Sequence, residues 1–330
     1  MNIFKALVML LLSSSLNAEV IIKFATLAPE GTNWTKILRE FAKDIETQTK
    51  GEIRFRIYTG GVQGDERDVV RKIKSSQLNA AGFTGYGIGE IAKEVRVLEA
   101  PFLFRDTDEV DFIYSRFTQD FEKIFEKNGF VFLGWTEIGE VYVISRNQIK
   151  NPSDFKKARL WIWEGDEIAK KTFENFGSKP IPLSIADVMT SIQTGMIDTV
   201  YATPATIIPL GWHKRMRYFL DMPITYGTGA VLISKKVIDD MRPEIREKFI
   251  SSAKKHFSSL NSITRKENIK ATELLKKQLK VIKTQSIKDF EEIAKKTRKE
   301  LVSFYGSEFI EKIENELEIY RNAKRKNNKS

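Results

Sequence analysis

Residues 20–66 read VIIKFATLAPEGTNWTKILREFAKDIETQTKGEIRFRIYTGGVQGDE. The apolar run at 20–25 predicts a short strand, and the turn at 28–32 can cap a helix from about residue 34 to residue 49. Residues 52–58 alternate polar and apolar side chains, which predicts a second strand, and Gly64-Asp65-Glu66 opens another helix. Strand, helix, strand, helix is the order typical of α/β layers with parallel strands.

Farther along, the chain repeats part of this pattern at a constant offset of 119 residues. The matched positions are Asp68-Val69, Ile73, Ser75, Leu78-Asn79 and Thr84 in the first copy, and Asp187-Val188, Ile192, Thr194, Ile197-Asp198 and Thr203 in the second. Each copy predicts a helix, a tight turn and a short strand that ends at the threonine, although two unrelated α/β units could match by chance. A duplicated lobe would place ligands outside the carboxyl ends of these strands. The repeat therefore predicts a cleft between two facing lobes, with Thr84 and Thr203 near its floor.

The length of the chain also favours two lobes, because 330 residues exceed what one compact domain usually holds. A hydrophobic fraction of 42% supplies enough apolar material for two cores. Residues 243–279 carry apolar side chains at helical spacing and predict a helix of about 50 Å that lies across both lobes. Further helices are predicted at about 287–305 and 307–321. We expect lobe I at 19–143 completed by about 228–270, lobe II at 144–227 completed by C-terminal helices of about 271–320, and a basic frayed tail at 321–330.

The first 18 residues resemble a cleavable secretory signal peptide. Lys5 is their only charge, the apolar run at 6–12 follows it, and a serine-rich segment leads to Ala18. A membrane anchor is the alternative, but a span needs about 20 apolar residues and this run is shorter. Leu16 is larger than the small residue that is usual before the cleavage site. The mature chain is predicted to be exported, with cleavage near Ala18.

Several kinds of chemistry are excluded by what the sequence lacks. The absence of cysteine excludes disulfides, thiolate metal sites and Cys nucleophiles, and two histidines are too few for a multi-His zinc site. The glycine-rich stretch at 82–89 lacks the spacing of a dinucleotide-binding loop and is read as a strand end and turn that line the cleft. His213 has neither an acid nor a nucleophile beside it. We therefore predict no enzyme, no cofactor and no metal.

The formal net charge of +10 permits binding to nucleic acid or to an anionic surface without choosing between them. Many basic residues stand on predicted helices mixed with acids, as in Lys295-Lys296-Thr297-Arg298-Lys299-Glu300. Solvated helix faces explain most of this charge. Because export also argues against it, we predict no nucleic-acid partner.

Four stretches carry a more specific signal: FATLAPEGT at 24–32, YTGGVQGDE at 58–66, NPSDFK at 151–156 and SIQTGMID at 191–198. In order and spacing they resemble the DctP-type solute-binding proteins of tripartite ATP-independent periplasmic (TRAP) transporters, over about residues 20–320. The resemblance implies a two-lobed periplasmic binding protein of the type II, Venus-flytrap kind, with crossing strands and a long helix that spans the lobes. It also implies a periplasmic protein that traps a small organic acid and delivers it to a permease with a small and a large membrane subunit.

The ligand site departs from this family's pattern. The arginine with which the family holds a carboxylate falls on Trp161, whose indole offers a stacking face and one N–H donor instead. Arg159 lies two residues earlier and would share a strand face with Trp161 and Trp163, so it can supply a cation from a shifted position. The alternative places Arg159 on the surface and both tryptophans in the core. A second cation that is usual near Gly139-Glu140 is also absent.

The predicted site is therefore rich in aromatic side chains, which suits a bulky, partly apolar organic acid. The candidate ligand-binding residues are Trp161, Arg159, Trp163, Tyr86, Tyr201 and Trp135, with Thr84 and Thr203 as polar contacts and Glu66 as a weaker candidate because its helix-start position already accounts for it. We expect binding without chemistry, in which a solute bridges both lobes and so favours the closed state. The alternatives are a binding protein for an ATP-driven importer or a sensor, a secreted enzyme that uses the same cleft, and a basic surface-binding protein.

Overall fold

A computed structural model of the chain describes residues 19–327, so the predicted signal peptide lies outside the described residues. The strands are β1 (Val20–Thr26), β2 (Ile53–Tyr58), β3 (Ala80–Thr84), β4 (Phe130–Trp135), β5 (Gly139–Ser145), β6 (Trp161–Trp163), β7 (Ile181–Leu183), β8 (Thr199–Ala202), β9 (Tyr218–Gly227), β10 (Gly229–Ser234) and β11 (Lys280–Ile282). The helices are α1 (Asn33–Gln48), α2 (Glu66–Lys74), α3 (Gly85–Gly89), α4 (Thr107–Lys127), α5 (Glu167–Asn175), α6 (Val188–Thr194), α7 (Pro204–Ile207), α8 (Lys235–Asp239), α9 (Pro243–Gln278), α10 (Ile287–Glu300), α11 (Val302–Tyr305) and α12 (Ser307–Asn327). A 3-10 helix spans Lys93–Glu99.

The strands form two sheets with the same topology. Lobe I is built on the sheet β2-β1-β3-β10-β4, in which β1 pairs parallel with β2 and β3, while β10 runs antiparallel to β3 and β4. Lobe II has the order β7-β6-β8-β5-β9 with β11 added at the end, and a single bridge between Leu160 and Thr199 joins β6 to β8. Here too the first pairings are parallel and the next two antiparallel. The predicted α/β fold with two lobes is confirmed.

The repeated sequence occupies equivalent places in the two sheets. In lobe I, α2 is followed by a turn and by β3, which ends at Thr84. In lobe II, α6 ends at Gly195, which has the left-handed φ of 79° that favours glycine, and β8 follows it and leads to Thr203. Each threonine begins the next short helix, α3 or α7. The offset of 119 residues therefore reflects one helix–turn–strand unit used in both lobes.

Two of the segments that connect the lobes lie side by side. Residues 136–138 lead from β4 into β5, and Thr228 leads from β9 back into β10. The segments are hydrogen-bonded to each other, because Thr136 N donates to Gly229 O at 2.8 Å and Ile138 N donates to Gly227 O at 3.0 Å. We call these paired crossings the hinge segments; the first begins at residue 136, whereas the sequence predicts the lobe boundary at 143.

Helix α9 clamps the hinge segments and reaches both lobes. Its 36 residues span about 54 Å, as its uninterrupted helical periodicity predicts. Asn261 Oδ1 accepts from Glu137 N at 2.8 Å, and Asn268 donates to Ile138 O at 2.8 Å while accepting from Ala205 N of lobe II at 3.0 Å. Through these hydrogen bonds, α9 holds the first crossing segment in place and also contacts lobe II.

The C-terminal helices divide between the lobes, which differs from the predicted assignment of all of them to lobe II. Phe290 of α10 is buried in the core of lobe II. Ile310, Ile313 and Leu317 of α12 are buried in the core of lobe I, beside α4. The predicted helix at 287–305 is broken at Leu301, where the chain turns from one core to the other.

The segment predicted to fray from residue 321 is helical through Asn327. Arg321 anchors it, because its guanidinium group donates to the buried Glu109 carboxylate at 2.6 and 2.7 Å. Elsewhere the predicted boundaries agree with the structure within one or two residues, since capping side chains mark them: Thr32 begins α1 and Asp65 begins α2. Among the described residues, every helix is too short or too polar to cross a membrane.

Candidate functional site

A cavity of about 690 Å³ lies between the two lobes. Thr26, Thr84, Trp163 and Thr203 lie along its wall, at or just beyond the carboxyl ends of β1, β3, β6 and β8. The start of α1 and the C-terminal half of α9 close its sides. The cavity therefore occupies the place where sheets of this kind bind ligands.

Aromatic side chains from both lobes make up much of the wall: Trp34, Phe83, Tyr86, Trp161, Trp163, Phe173, Tyr201 and Trp212. In lobe II these rings are packed on one another. The ring of Trp161 stacks on Tyr201 at 5.4 Å between centroids and meets Trp212 edge-on at the same distance. Only 2% of Trp161 is exposed, so its ring forms part of the wall. Packed rings of this kind present a rigid apolar surface to a ligand.

Contacts between the lobes hold the cavity closed on one side. Tyr86 of lobe I stacks on Trp163 of lobe II at 5.3 Å with an interplanar angle of 12°. The Tyr86 hydroxyl donates to Glu164 O at 2.8 Å, and the Trp163 indole N–H donates to Asp65 Oδ2 at 3.0 Å. Burial raises the pKa of Tyr86 to about 12, so this hydroxyl keeps its proton at physiological pH. The structure is that of the closed arrangement.

A buried ion-pair cluster lies at another part of the cavity wall. Arg96, which is 4% exposed, donates from Nε to Glu99 at 2.8 Å and from a terminal nitrogen to Asp166 at 3.1 Å. Asp166 begins α5 in lobe II, whereas Arg96 and Glu99 belong to the 3-10 helix that follows α3 of lobe I. Burial raises the pKa of Glu99, and the charge of Arg96 opposes this shift. The cluster links the two lobes, and in it the buried guanidinium group of Arg96 is paired with carboxylates of the protein itself.

Glu66 lines the cavity but is used by the protein itself. Its carboxylate accepts hydrogen bonds from Thr84 N and Thr84 Oγ1 at 2.7 Å and from Gly87 N at 2.8 Å. Burial raises its pKa to about 7, although the hydrogen bonds from Thr84 favour the ionised form. The side chain holds the end of β3 against the start of α3, which agrees with its ranking as the weaker candidate.

Seven of the nine predicted ligand-binding residues line the cavity: Trp161, Trp163, Thr84, Tyr86, Tyr201, Thr203 and Glu66. Several of their polar atoms have protein partners. The Trp161 indole N–H, predicted as a donor to the ligand, donates to Leu183 O at 3.1 Å. The hydroxyl groups of Thr203 and Thr206 lie 3.0 Å apart and share a hydrogen bond.

The structure places the other two candidates, Arg159 and Trp135, away from the cavity. Arg159 pairs with Asp198 at 3.1 Å, and its side chain is 54% exposed. Asp198 directly precedes β8, so this pair lies at the amino end of the strands, opposite the cleft. Arg159 is therefore a surface residue, as in one part of the alternative hypothesis, whereas both tryptophans line the cavity. Trp135 stacks on Tyr114 at 4.7 Å in the core of lobe I and donates its N–H to Thr118 Oγ1 at 2.8 Å.

Four prominent wall residues were not predicted: Trp34, Arg96, Phe173 and Trp212. For Trp34 a signal exists in the glycine-rich stretch, because any side chain at Gly82 would collide with the Trp34 ring. A glycine in a strand often marks such a close approach. For Arg96 the sequence contains no local signal, since its partner Asp166 is 70 residues away. Within residues 19–327, no three acidic or histidine side chains converge as a metal site would require.

Comparison with known families identifies one match along most of the chain. The family described as "Bacterial extracellular solute-binding protein, family 7" matches residues 24–305. An uncharacterized protein of Haemophilus influenzae is 22% identical, with 94% of this chain and 97% of that protein covered. The 2,3-diketo-L-gulonate-binding periplasmic protein YiaO of Escherichia coli is 24% identical over 65% of this chain and 66% of its own length. The C4-dicarboxylate-binding periplasmic protein DctP of Vibrio cholerae is 23% identical over 70% of each chain.

Solved structures share the fold at low sequence identity. The sugar acid binding protein of Advenella mimigardefordensis in complex with galactonate has a TM-score of 0.85 at 19% identity, covering 91% of this chain and 98% of that one. A TRAP periplasmic solute-binding protein from a Polaromonas species bound to D-erythronate has a TM-score of 0.82 at 19% identity, covering 90% and 98%. The similarity extends over both lobes and the helix that joins them.

Proposed function

The chain belongs to family 7 of the bacterial extracellular solute-binding proteins, and from this membership we propose that it is the periplasmic solute-capturing subunit of a TRAP transporter. The resemblance to DctP-type proteins is thereby confirmed, and the chain is a binding protein and not an enzyme. Export through the segment at 1–18, with cleavage near Ala18, belongs to the proposal. So does delivery of the solute to a permease with a small and a large membrane subunit.

The observation that supports the proposal is the cavity of about 690 Å³ enclosed by two lobes of equal topology. Its volume lies in the range of pockets that bury most of a drug-sized molecule. The solutes bound in the related structures, galactonate and D-erythronate, are small organic acids and support the expectation of an organic acid. The packed rings of Trp161, Tyr201 and Trp212 support the other part of that expectation, a bulky and partly apolar body.

The proposed mechanism uses the hinge segments and the contacts across the cleft. A solute enters while the lobes are apart and touches rings that belong to both of them. It then favours the closed state by its differential affinity for that state, and the stack of Tyr86 on Trp163 completes the closure. The closed form would dock on the permease, whose ion gradient supplies the energy for transport.

A thermal-shift screen of organic compounds tests capture, because a ligand that binds only the folded form raises its melting temperature. We expect aromatic or bulky apolar compounds to raise it. Trp163→Ala should abolish the shift. Tyr218→Ala is the matched control, since Tyr218 is a half-buried aromatic residue of lobe II outside the cavity. The proposal would be contradicted if no compound raised the melting temperature, or if both variants lost the thermal shift to the same extent.

Reconstitution with the two permease subunits in proteoliposomes tests delivery. Uptake should require this protein and an ion gradient and should proceed without ATP. Uptake that depends on ATP would assign the chain to an ATP-driven importer instead.

A further inference from the structure

The cavity offers a solute little free positive charge. Among the described residues that line it, the cations are Lys36, Arg96 and Lys270. Lys36 and Lys270 are exposed and lie at the rim, where water and salt screen them. Arg96 is buried, and Glu99 at 2.8 Å and Asp166 at 3.1 Å hold it. Its charge is more than neutralised before any solute arrives.

Carboxylates outnumber guanidinium groups around the cavity. Glu66, Glu99, Glu137 and Asp166 all line it, and Arg265 pairs with Glu137 at 2.6 Å. Glu267 lines the cavity as well, and Arg265 also pairs with Asp111. Carboxylates therefore outnumber the two guanidinium groups even though burial favours the protonated forms of Glu66 and Glu99. A carboxylate that enters would lose its hydration and meet this excess of negative charge, and both effects oppose binding.

Several uncharged polar groups of the wall are also engaged within the protein, whereas the buried hydroxyl groups of Tyr201 and Thr136 have no hydrogen-bond partner among the described residues. The hydroxyl of Thr84 donates to Glu66 at 2.7 Å, and that of Thr203 is bonded to Thr206. The indole N–H groups of Trp161 and Trp163 donate to Leu183 O and Asp65 Oδ2. The surface left for a solute consists mainly of ring faces and aliphatic groups.

We propose that the cleft takes an uncharged, largely apolar organic solute and discriminates against carboxylates. This inference rests on the proposed capture of a solute in that same cleft, and it replaces the organic acid that the relatives suggest with an uncharged solute. An uncharged apolar solute is driven into the cavity in proportion to the apolar area that it buries and leaves no charge unpaired. The rim offers it an apolar entry, since Leu27, Ile208, Leu210 and Leu274 line the cavity and are at least partly exposed.

Matched pairs of compounds test the proposal directly. Phenylacetamide with phenylacetate, indole-3-acetamide with indole-3-acetate, and octanamide with octanoate differ mainly in charge. Isothermal titration at pH 8, where the acids are ionised, should show the uncharged member of each pair binding at least about tenfold more tightly. Acids that bind as tightly as their amides, including an acid held at the rim by Lys36 or Lys270, would overturn the inference and leave the proposed function standing. If neither these compounds nor any other organic compound binds, the proposed function itself fails.

A charge variant tests the physical cause. Glu99→Gln removes one of the two carboxylates that hold Arg96, while its amide oxygen can still accept from Thr228 N. We expect the preference for the uncharged member to fall at least about fivefold, because part of the Arg96 charge becomes available to an acid. Glu94→Gln, on the same 3-10 helix but outside the cavity, makes the same charge change and should leave the preference unaltered. An unchanged preference in Glu99→Gln would show that the buried charges do not set the selectivity.

Discussion

The ion pair between Arg96 and Asp166 makes a quantitative prediction about lobe closure. Asp166 is the N-cap of α5, where one carboxylate oxygen accepts from Ile168 N and Ala169 N at 3.1 Å. The same carboxylate accepts from Arg96 across the lobes at 3.1 and 3.3 Å. Asp166→Asn keeps an oxygen for the cap, at which Asn is as effective as Asp. The substitution therefore removes the charge of the ion pair and leaves the helix start intact.

The expected loss follows from the burial of the pair. Both side chains are about 5% exposed, so a charge-assisted hydrogen bond between them contributes about 2 kcal/mol. Because the partners belong to opposite lobes, we expect this free energy to stabilise the closed state alone. About 2 kcal/mol corresponds to roughly a thirtyfold fall in the ratio of closed to open protein and to a similar loss of affinity.

Two measurements check this value. The affinity for the tightest compound of the screen is measured by titration calorimetry. The distance between the lobes is measured by energy transfer between dyes at Glu40→Cys and Lys179→Cys, two exposed sites in a chain without native cysteine. Glu167→Gln, which removes a charge from the same helical turn but pairs only weakly with Lys170, is the control. An affinity for Asp166→Asn within twofold of the wild-type value, with the same distances, would refute the reasoning.

Three further substitutions have definite expected outcomes. Trp161→Ala should abolish the ligand-induced thermal shift and, because the ring is 2% exposed, lower the free energy of unfolding by about 3–5 kcal/mol; an unchanged shift would remove Trp161 from the site. The pKa of Glu66 is about 7 in the folded state against an ordinary 4.5, so this carboxyl group binds its proton more tightly when the protein is folded. The free energy of unfolding of the wild type should therefore fall by roughly 3 kcal/mol as pH rises from about 4.5 to 7. Glu66→Gln should lack that loss in urea denaturation, and parallel pH curves for the two proteins would contradict the assignment. Arg159→Ala should bind ligand within twofold of wild type, since its partly exposed pair with Asp198 lies outside the cavity, and a loss above tenfold would return Arg159 to the site.

The parts of the fold that local sequence determines were predictable. β1, α1 and β2 agree with their predicted limits within one or two residues, because alternation, helical periodicity and capping side chains all act over a few positions. The length of α9 was predictable for the same reason. The placement of α12 on lobe I was not, since it depends on contacts such as Arg321 with Glu109, which are 212 residues apart.

The residues of the site likewise include some that the sequence predicts and some that it does not. Trp161, Trp163 and Tyr201 were predicted to line the cleft as an aromatic set, because Trp161 stands where the resembled family has its arginine, and the cavity includes all three. Arg96 could not be found in this way, because its 3-10 helix reaches the cleft only through the packing of both lobes. The paired state of Arg96 could not be predicted either, and it changes the expected chemistry of the cleft more than any single wall residue.

The repeat at an offset of 119 residues nevertheless predicts where Arg159 lies in lobe II. Asn79 and Asp198 are matched positions, and each forms two hydrogen bonds with the backbone of a single residue in or just before a neighbouring parallel strand. Asn79 N donates to Lys23 O at 2.9 Å and its Oδ1 accepts from Lys23 N at 2.8 Å. Asp198 makes the equivalent two bonds with Arg159, both at 2.9 Å. Arg159 is thus the lobe II equivalent of Lys23. Their partners Asn79 and Asp198 directly precede β3 and β8, so both residues lie beside the beginning of a matched strand, whereas Thr84 and Thr203 lie where the matched strands end. At about 3.3 Å per residue, the four residues from Arg159 to Trp163 place the arginine roughly 13 Å from that end. A cation at that distance cannot replace the arginine whose position Trp161 occupies in the cleft. A duplicated unit recognised in the sequence can therefore also exclude candidate site residues.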